Sequence, residues 1–385
     1  MEIKCNRILL GKVLLFTVIL LVGGLGIFGC VGTGAVPKGW SGGIVDDGTL
    51  FLGSIEGEVV AVDISDGSCL WEFLIEASGQ SAGGFGCAPA STTVAIYGTP
   101  AVEGEFVYVG GYNGKIYAIT SDSGALRWVY PREGNLQPIV GGLIVSQGKV
   151  YFGCSSGKLF ALDAATGDKK WEFQTGDKIW STPAIDGDTL FITSFDDKLY
   201  ALSATDGSKR WEFDTGGAIV STPVVHNNTV YIGSFDRHFY AVNATDGKQI
   251  WQFPVGDDVN NKPEKWFWAK PVVYDNTIYA GNLDGKVYIL DAETGNEIVD
   301  AIDLESPISS WPVLIDGSII IASEDGQVWA IDSSSNQESE LTNLEQKIYA
   351  PLCASEGFVY VHTQEGILYE VEAQTGAVRQ LYPIK

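Results

Sequence analysis

From Trp40 to the C-terminus, short apolar or aromatic runs alternate with Asp-, Gly- and Ser-rich turns, and the pattern returns about every 40 residues. Residues 181–213 show one unit with four such runs, the signature of a four-stranded antiparallel meander. The second runs, Val107-Tyr-Val109, Val150-Tyr-Phe152, Val230-Tyr-Ile232 and Ile319-Ile-Ile321, are apolar without alternation, as strands covered on both faces require. The fourth runs, Lys169-Lys-Trp-Glu-Phe173 and Lys209-Arg-Trp-Glu-Phe213, set charges around one large ring. Charge there suits an outer edge that must not pair with other sheets.

An Ala on the third run tracks the repeat: Ala61, Ala118, Ala161, Ala201, Ala241, Ile289, Ala330 and Glu370, at spacings of 57, 43, 40, 40, 48, 41 and 40. A unit of this size cannot bury both faces of its own sheet, so the eight must stack on one another. Sandwiched inner strands and solvated outer strands, repeated eight times, predict an all-β, eight-bladed β-propeller of four-stranded antiparallel blades over residues 40–385. The first unit starts its own inner strand near residues 43–45 and the last ends its own outer strand near 377–381. Closure then needs no exchanged strand, although residues 31–39 remain a candidate for one.

The clearest copies, Ala61-Val-Asp-Ile-Ser-Asp-Gly67-Ser-Cys-Leu-Trp71, Ala161-Leu-Asp-Ala-Ala-Thr-Gly167-Asp-Lys-Lys-Trp171 and Ala201-Leu-Ser-Ala-Thr-Asp-Gly207-Ser-Lys-Arg-Trp211, resemble the repeat of the quinoprotein (PQQ-like) propellers. The resemblance covers essentially all of residues 40–385. It implies that Trp71, Trp128, Trp171, Trp211 and Trp251 dock between neighbouring blades. Val299, Glu340 and Gln380 stand at that place in the last three units, so those interfaces must be packed differently.

The N-terminus carries Lys4, Arg7 and Lys12 before an uncharged apolar run from Val13 to Phe28, which reads as an export signal over residues 1–29, with 30–39 as linker. Its end, Leu25-Gly-Ile-Phe-Gly-Cys30, resembles a lipobox, which implies lipid attachment at Cys30; Phe28 departs from the small residue usual there. Cleavage after Ala35 and a retained membrane anchor are the alternatives. All three place the propeller outside the cytoplasm, at the outer side of the cytoplasmic membrane or in the periplasm or outer membrane. The net charge of −24 repels a phosphate backbone and argues against nucleic acid as a partner.

Catalytic signals are sparse. The quinoprotein dehydrogenases that share the repeat carry adjacent cysteines over the quinone, long insertions, and acidic and amide residues holding calcium; here no two cysteines are adjacent and the linkers are mostly minimal. His226, His238 and His362 have no metal-ligand spacing, and no cysteine spacing resembles a zinc site. Cys69 and Cys87 are candidates for a disulfide, against the alternative of unpaired thiols. The acidic residues Asp196, Asp197, Asp236, Asp284 and Asp325 sit in hairpin turns, where a structural role is expected. No cofactor and no metal are expected; PQQ with calcium is the alternative.

Three longer connections, within residues 74–97, between units two and three, and within 257–265, join an outer strand to the next inner strand and therefore share one face. Trp40, Tyr97, Trp180 and Trp268 occupy a common position three residues before an inner strand's first residue. Lys270 and Trp311 stand one before it, and Trp266 lies nearby. These residues are expected at the channel mouth, either as inner-blade packing or as a binding surface.

In size, blades and lipobox, the chain is similar to the BamB-like lipoproteins of the outer-membrane β-barrel assembly machinery. That similarity implies a non-enzymatic, membrane-anchored scaffold, a monomeric propeller within a complex of envelope or membrane proteins. A PQQ-dependent dehydrogenase and a sensory ectodomain for peptide or carbohydrate are the alternatives.

Overall fold

The computed structural model describes residues 41–54, 56–75, 94–254 and 262–383. These form eight separate sheets, each of four consecutive strands hydrogen-bonded in chain order, so every blade is an antiparallel meander. Numbered along the chain, blades 1 to 8 span residues 44–74, 101–130, 143–174, 184–214, 224–253, 272–303, 313–343 and 353–383. The architecture is an eight-bladed β-propeller. No helix among the described residues is long and apolar enough to cross a membrane.

Blade 4 shows how the residues make the sheet. Its strands are Ala184–Asp186, Thr189–Thr193, Lys198–Ser203 and Lys209–Asp214. Leu190, Phe191 and Ile192 are buried without alternation, because each face of the second strand meets a neighbouring blade. Outside them, Lys209 and Arg210 are exposed, and Lys209 pairs with Glu212 on the same strand. A bulge between Ala201 and Leu202 brings Trp211 opposite Ala201.

The Trp does the joining. In blades 1 to 5 its indole N–H donates to a backbone carbonyl three residues after the Ala position of the next blade: Ser121, Ala164, Ala204, Ala244 and Ala292, at 2.6–3.2 Å. Second-strand tyrosines reach three of the same carbonyls, as Tyr151 does with Ala204. The motif glycine lies against the ring: a Cβ on Gly207, at φ +75°, would stand 2.6 Å from the Trp171 indole. Glycine is therefore required twice, by its turn and by the tryptophan.

The last blades depart from this scheme. The bulge moves one position, so Ala330 pairs with Ser339 and Glu370 with Arg379. The residues opposite the Ala position are thus Ser339 and Arg379, not the Glu340 and Gln380 that a constant spacing predicts. At the seam, Arg379 donates to the Ile64 carbonyl at 2.8 Å, the place a tryptophan reaches elsewhere, and to the Ser65 carbonyl at 3.0 Å. It also makes a two-point contact with Glu370, whose side chain is 8% exposed. Leu50, Leu52 and Val62 of blade 1 pack with Tyr360, Leu368 and Leu381 of blade 8. Both blades are complete from their own strands, so the ring closes by side chains and not by an exchanged strand. Residues 31–39 lie outside the described residues.

Candidate functional site

The mouth of the channel is built by a short motif at each lead-in to an inner strand. A buried anchor, Ile96, Ile139, Ile179, Ile219, Phe267, Ile308 or Ile348, comes first, each at most 1% exposed. In five junctions the anchor packs against a glycine at or next to the end of the second strand of the preceding blade, as Ile179 does on Gly153 and Phe267 on Gly233. Extended backbone alternates its side chains, so the next residue is turned the other way, toward the axis. Those next residues, Tyr97, Val140, Trp180, Val220, Trp268, Ser309 and Tyr349, all line one cavity of about 430 Å³.

Hydroxyls fix the backbone beneath them. Ser181, Ser221 and Ser310 donate to carbonyls of the second strand of their own blades, at Thr193, Gly233 and Ala322. Thr182 accepts the Gly142 N–H and Thr222 accepts the Thr182 N–H, linking blades 3, 4 and 5 around the axis. In blades 2 to 8 the hairpin between second and third strands is tied to its lead-in loop by one backbone bond, for example Phe195 N–H to the Lys178 carbonyl and Glu324 N–H to that of Pro307.

That last bond sets a second circle of side chains beside the first, with Tyr112, Phe195, Phe235, Leu283 and Glu324 at equivalent hairpin positions. Together they form an aromatic run across blades 4 to 6. Trp180 meets Phe195 edge-on at 4.8 Å, Phe195 meets Phe235 at 6.2 Å, and Phe235 stacks on Trp266 at 4.6 Å and Trp268 at 5.9 Å. Lys178 holds its ammonium 5.7 Å from both the Trp180 and Phe195 rings. In blade 2, Tyr97 and Tyr112 are 5.4 Å apart.

The structure divides the residues singled out from the sequence. Tyr97, Trp180, Trp268 and Trp311 line the cavity. Trp266 instead lies on the outer rim, 45% exposed against Phe235. Lys270 is partly buried behind the wall, its ammonium 5.8 Å from the Trp311 ring, and burial holds its pKa below the ordinary lysine value. Trp40, Cys30 and Cys87 lie outside the described residues, as do most of the longest connection (76–93) and residues 255–261.

Sequence reasoning missed Phe195, Phe235, Tyr112 and Tyr349. The first three share a hairpin position two residues past a second-strand glycine or threonine, a register readable once strand ends are known. Tyr349 has the same offset as Trp180, but Leu352 replaces the marker proline.

Other groups singled out from the sequence are accounted for by the fold. Asp196, Asp236 and Asp284 each accept the hydroxyl of a tyrosine four residues on and a backbone N–H from the adjoining loop, locking the hairpins. His226 is at the surface beside Asn227, whereas His238 is partly buried against Tyr240 and Asp236. His362 is fully enclosed at the seam, bonded to the Ser41 carbonyl at 2.9 Å. Among the described residues no group of His, Cys, Asp and Glu could hold a metal, and Cys69, Cys154 and Cys353 are not bridged to one another.

The sequence profile of one family, described as outer membrane protein assembly factor BamB, matches residues 31–178 and 174–382. The chain belongs to this family. No curated protein matches it in sequence. Among solved structures it is similar to BamB from Moraxella catarrhalis, with 19% identity and a TM-score of 0.67 over 86% of this chain and 93% of that one. It is also similar to the computationally designed Ika8 protein (16%, TM-score 0.68, 90% and 96%) and to Sqt1 of Saccharomyces cerevisiae (12%, TM-score 0.69, 88% and 97%). At such identities the structures share the fold alone. Membership in the BamB family agrees with the quinoprotein-type repeat and with a general scaffold role.

Proposed function

We propose that this BamB-family propeller is a non-catalytic scaffold outside the cytoplasm, anchored by its N-terminus, that engages envelope proteins through the channel-mouth face. The observation that carries the proposal is the aromatic run Trp180–Phe195–Phe235–Trp266, which ends in a large ring open to solvent. Exposed tryptophan on rigid backbone supplies contact area at little entropic cost, the property that concentrates such residues at protein interfaces. The lining offers no cationic side chain to pair with a polycarboxylate quinone; Glu324 is its one charged residue.

The test places a photo-crosslinking residue at position 266 and, as control, at Glu105, an exposed turn between first and second strands on the opposite face. Crosslinking in native membranes is expected to join one envelope protein stoichiometrically to position 266 and not to 105. Equal capture at both positions, or capture at 105 alone, refutes the assignment. Intact mass of the same preparation reads the anchor: a diacylglyceryl-modified Cys30 supports the lipoprotein form, and an unmodified chain beginning at Met1 or Val36 refutes it.

A further inference from the structure

Six aromatic side chains surround the cavity: Tyr97, Tyr112, Trp180, Trp268, Trp311 and Tyr349. Glu324 is the one charged residue of the lining. It is partly buried and has no ion pair among the described residues. Ser309, also in the wall and 8% exposed, has a hydroxyl without a hydrogen-bond partner. At about 430 Å³, the cavity falls in the size range of small-molecule sites.

The chemistry of this wall is selective. Aromatic faces are negative at their centres and attract cations, more strongly where water is excluded. A carboxylate in the same wall adds to that attraction, and a concave cleft in a protein of net charge −24 focuses the field inward. Two rings of the wall already stand beside cations, Trp180 beside Lys178 and Trp311 beside Lys270. An anion meets Glu324 unfavourably. A sugar finds rings to stack on, but the polar side chains that could satisfy its hydroxyls are mostly ring hydroxyls: Tyr97, Tyr112 and Tyr349, beside Thr99, Ser309 and Glu324.

We propose that the cavity is a binding site for a small quaternary-ammonium solute, its cationic head enclosed by the rings and facing Glu324, with Ser309 available to a hydroxyl on the same molecule. The site goes beyond the scaffold role and stands apart from it, since it needs no protein partner. Binding here and capture of an envelope protein at position 266 can each fail without the other.

The experiment uses the full-length chain in a non-ionic detergent and titrates choline against 3,3-dimethylbutan-1-ol, the neutral carbon isostere of the same shape, followed by calorimetry and tryptophan fluorescence. Choline is expected to bind at least about tenfold tighter than the isostere, since cation–aromatic attraction in a desolvated site is worth up to about 2 kcal/mol and tenfold is about 1.4. Glu324→Gln, which keeps the side-chain volume and the turn, is expected to weaken choline several-fold and leave the isostere unchanged. Trp268→Phe, a milder change than truncation, is expected to shift the fluorescence response while preserving the thermal transition. Equal affinity for choline and the isostere, no binding of either, or an unchanged choline affinity in Glu324→Gln overturns the proposal.

Discussion

Replacing Arg379 tests the logic of the ring seam. In blades 1 to 5 a buried Ala faces a Trp whose N–H reaches the next blade; here Glu370 faces Arg379, whose guanidinium reaches the equivalent carbonyl of Ile64 at 2.8 Å. In Arg379→Met the aliphatic stem is kept, so packing changes little. Four hydrogen bonds disappear, two of them to a carboxylate, and Glu370 is left 8% exposed without its counter-charge. Stranding one member of a buried pair costs about 3–5 kcal/mol. Arg379 itself is 45% exposed, so water recovers part of this, and about 2–3 kcal/mol is the expected loss. The assay is urea unfolding, read as a lower midpoint at constant m value. Adding Glu370→Gln removes the stranded charge and should recover about half of the loss by the same reasoning. A single substitution within about 0.5 kcal/mol of the parent, the noise of surface changes, refutes the seam as a stabilising contact. So does a double variant no more stable than the single one.

Trp171→Ala should cost about 3–5 kcal/mol by emptying the space between blades 3 and 4, and Gly207→Ala should be strongly destabilising while the Trp is present. In the Trp171→Ala background the Gly207 change should fall to about 1–3 kcal/mol, the strain of a left-handed alanine alone, as a double-mutant cycle would show. Burial depresses the pKa of His362 below its ordinary 6.5. As pH falls below that value the unfolded chain takes up a proton that the folded chain does not, so stability should decline from pH 7 to pH 5. In His362→Asn the dependence of unfolding free energy on pH should be shallower over this range; an unchanged slope would exclude the seam histidine as the cause. The purified protein should show no quinone absorbance, and chelation of divalent ions should leave its unfolding midpoint unchanged.

Much of the fold is legible locally because a repeated 40-residue pattern repeats a local physical requirement. Apolar second strands need cover on both faces, Asp and Gly open the hairpins, and charge beside tryptophan marks an outer strand. Those features are set by residues close in the chain, and they identify blades, their number and their order. The site is less legible. Trp180 and Trp268 share an offset from a strand start and reach the same cavity; Trp266, two residues before Trp268, is turned to the same side of Phe267 and stacks on the same Phe235 ring, but it stands one step farther out, at the rim. Phe195 and Phe235 gave no signal of their own, since a hairpin residue becomes part of the mouth only through the backbone bond that ties its turn to the lead-in loop.

By itself the sequence determined that eight units of four strands would stack, and that a ring and a glycine would recur together in five of them. Periodicity suffices for this because each unit meets a nearly identical neighbour. Only the tertiary structure decided what happens where that symmetry ends. The seam joins residues more than 300 positions apart, and a one-residue shift of a bulge puts Arg379, not Gln380, opposite Glu370. The cavity likewise gathers one or two side chains from each of seven successive lead-ins. Its aromatic wall exists only once the ring has closed, because no single blade carries enough of it to form a site.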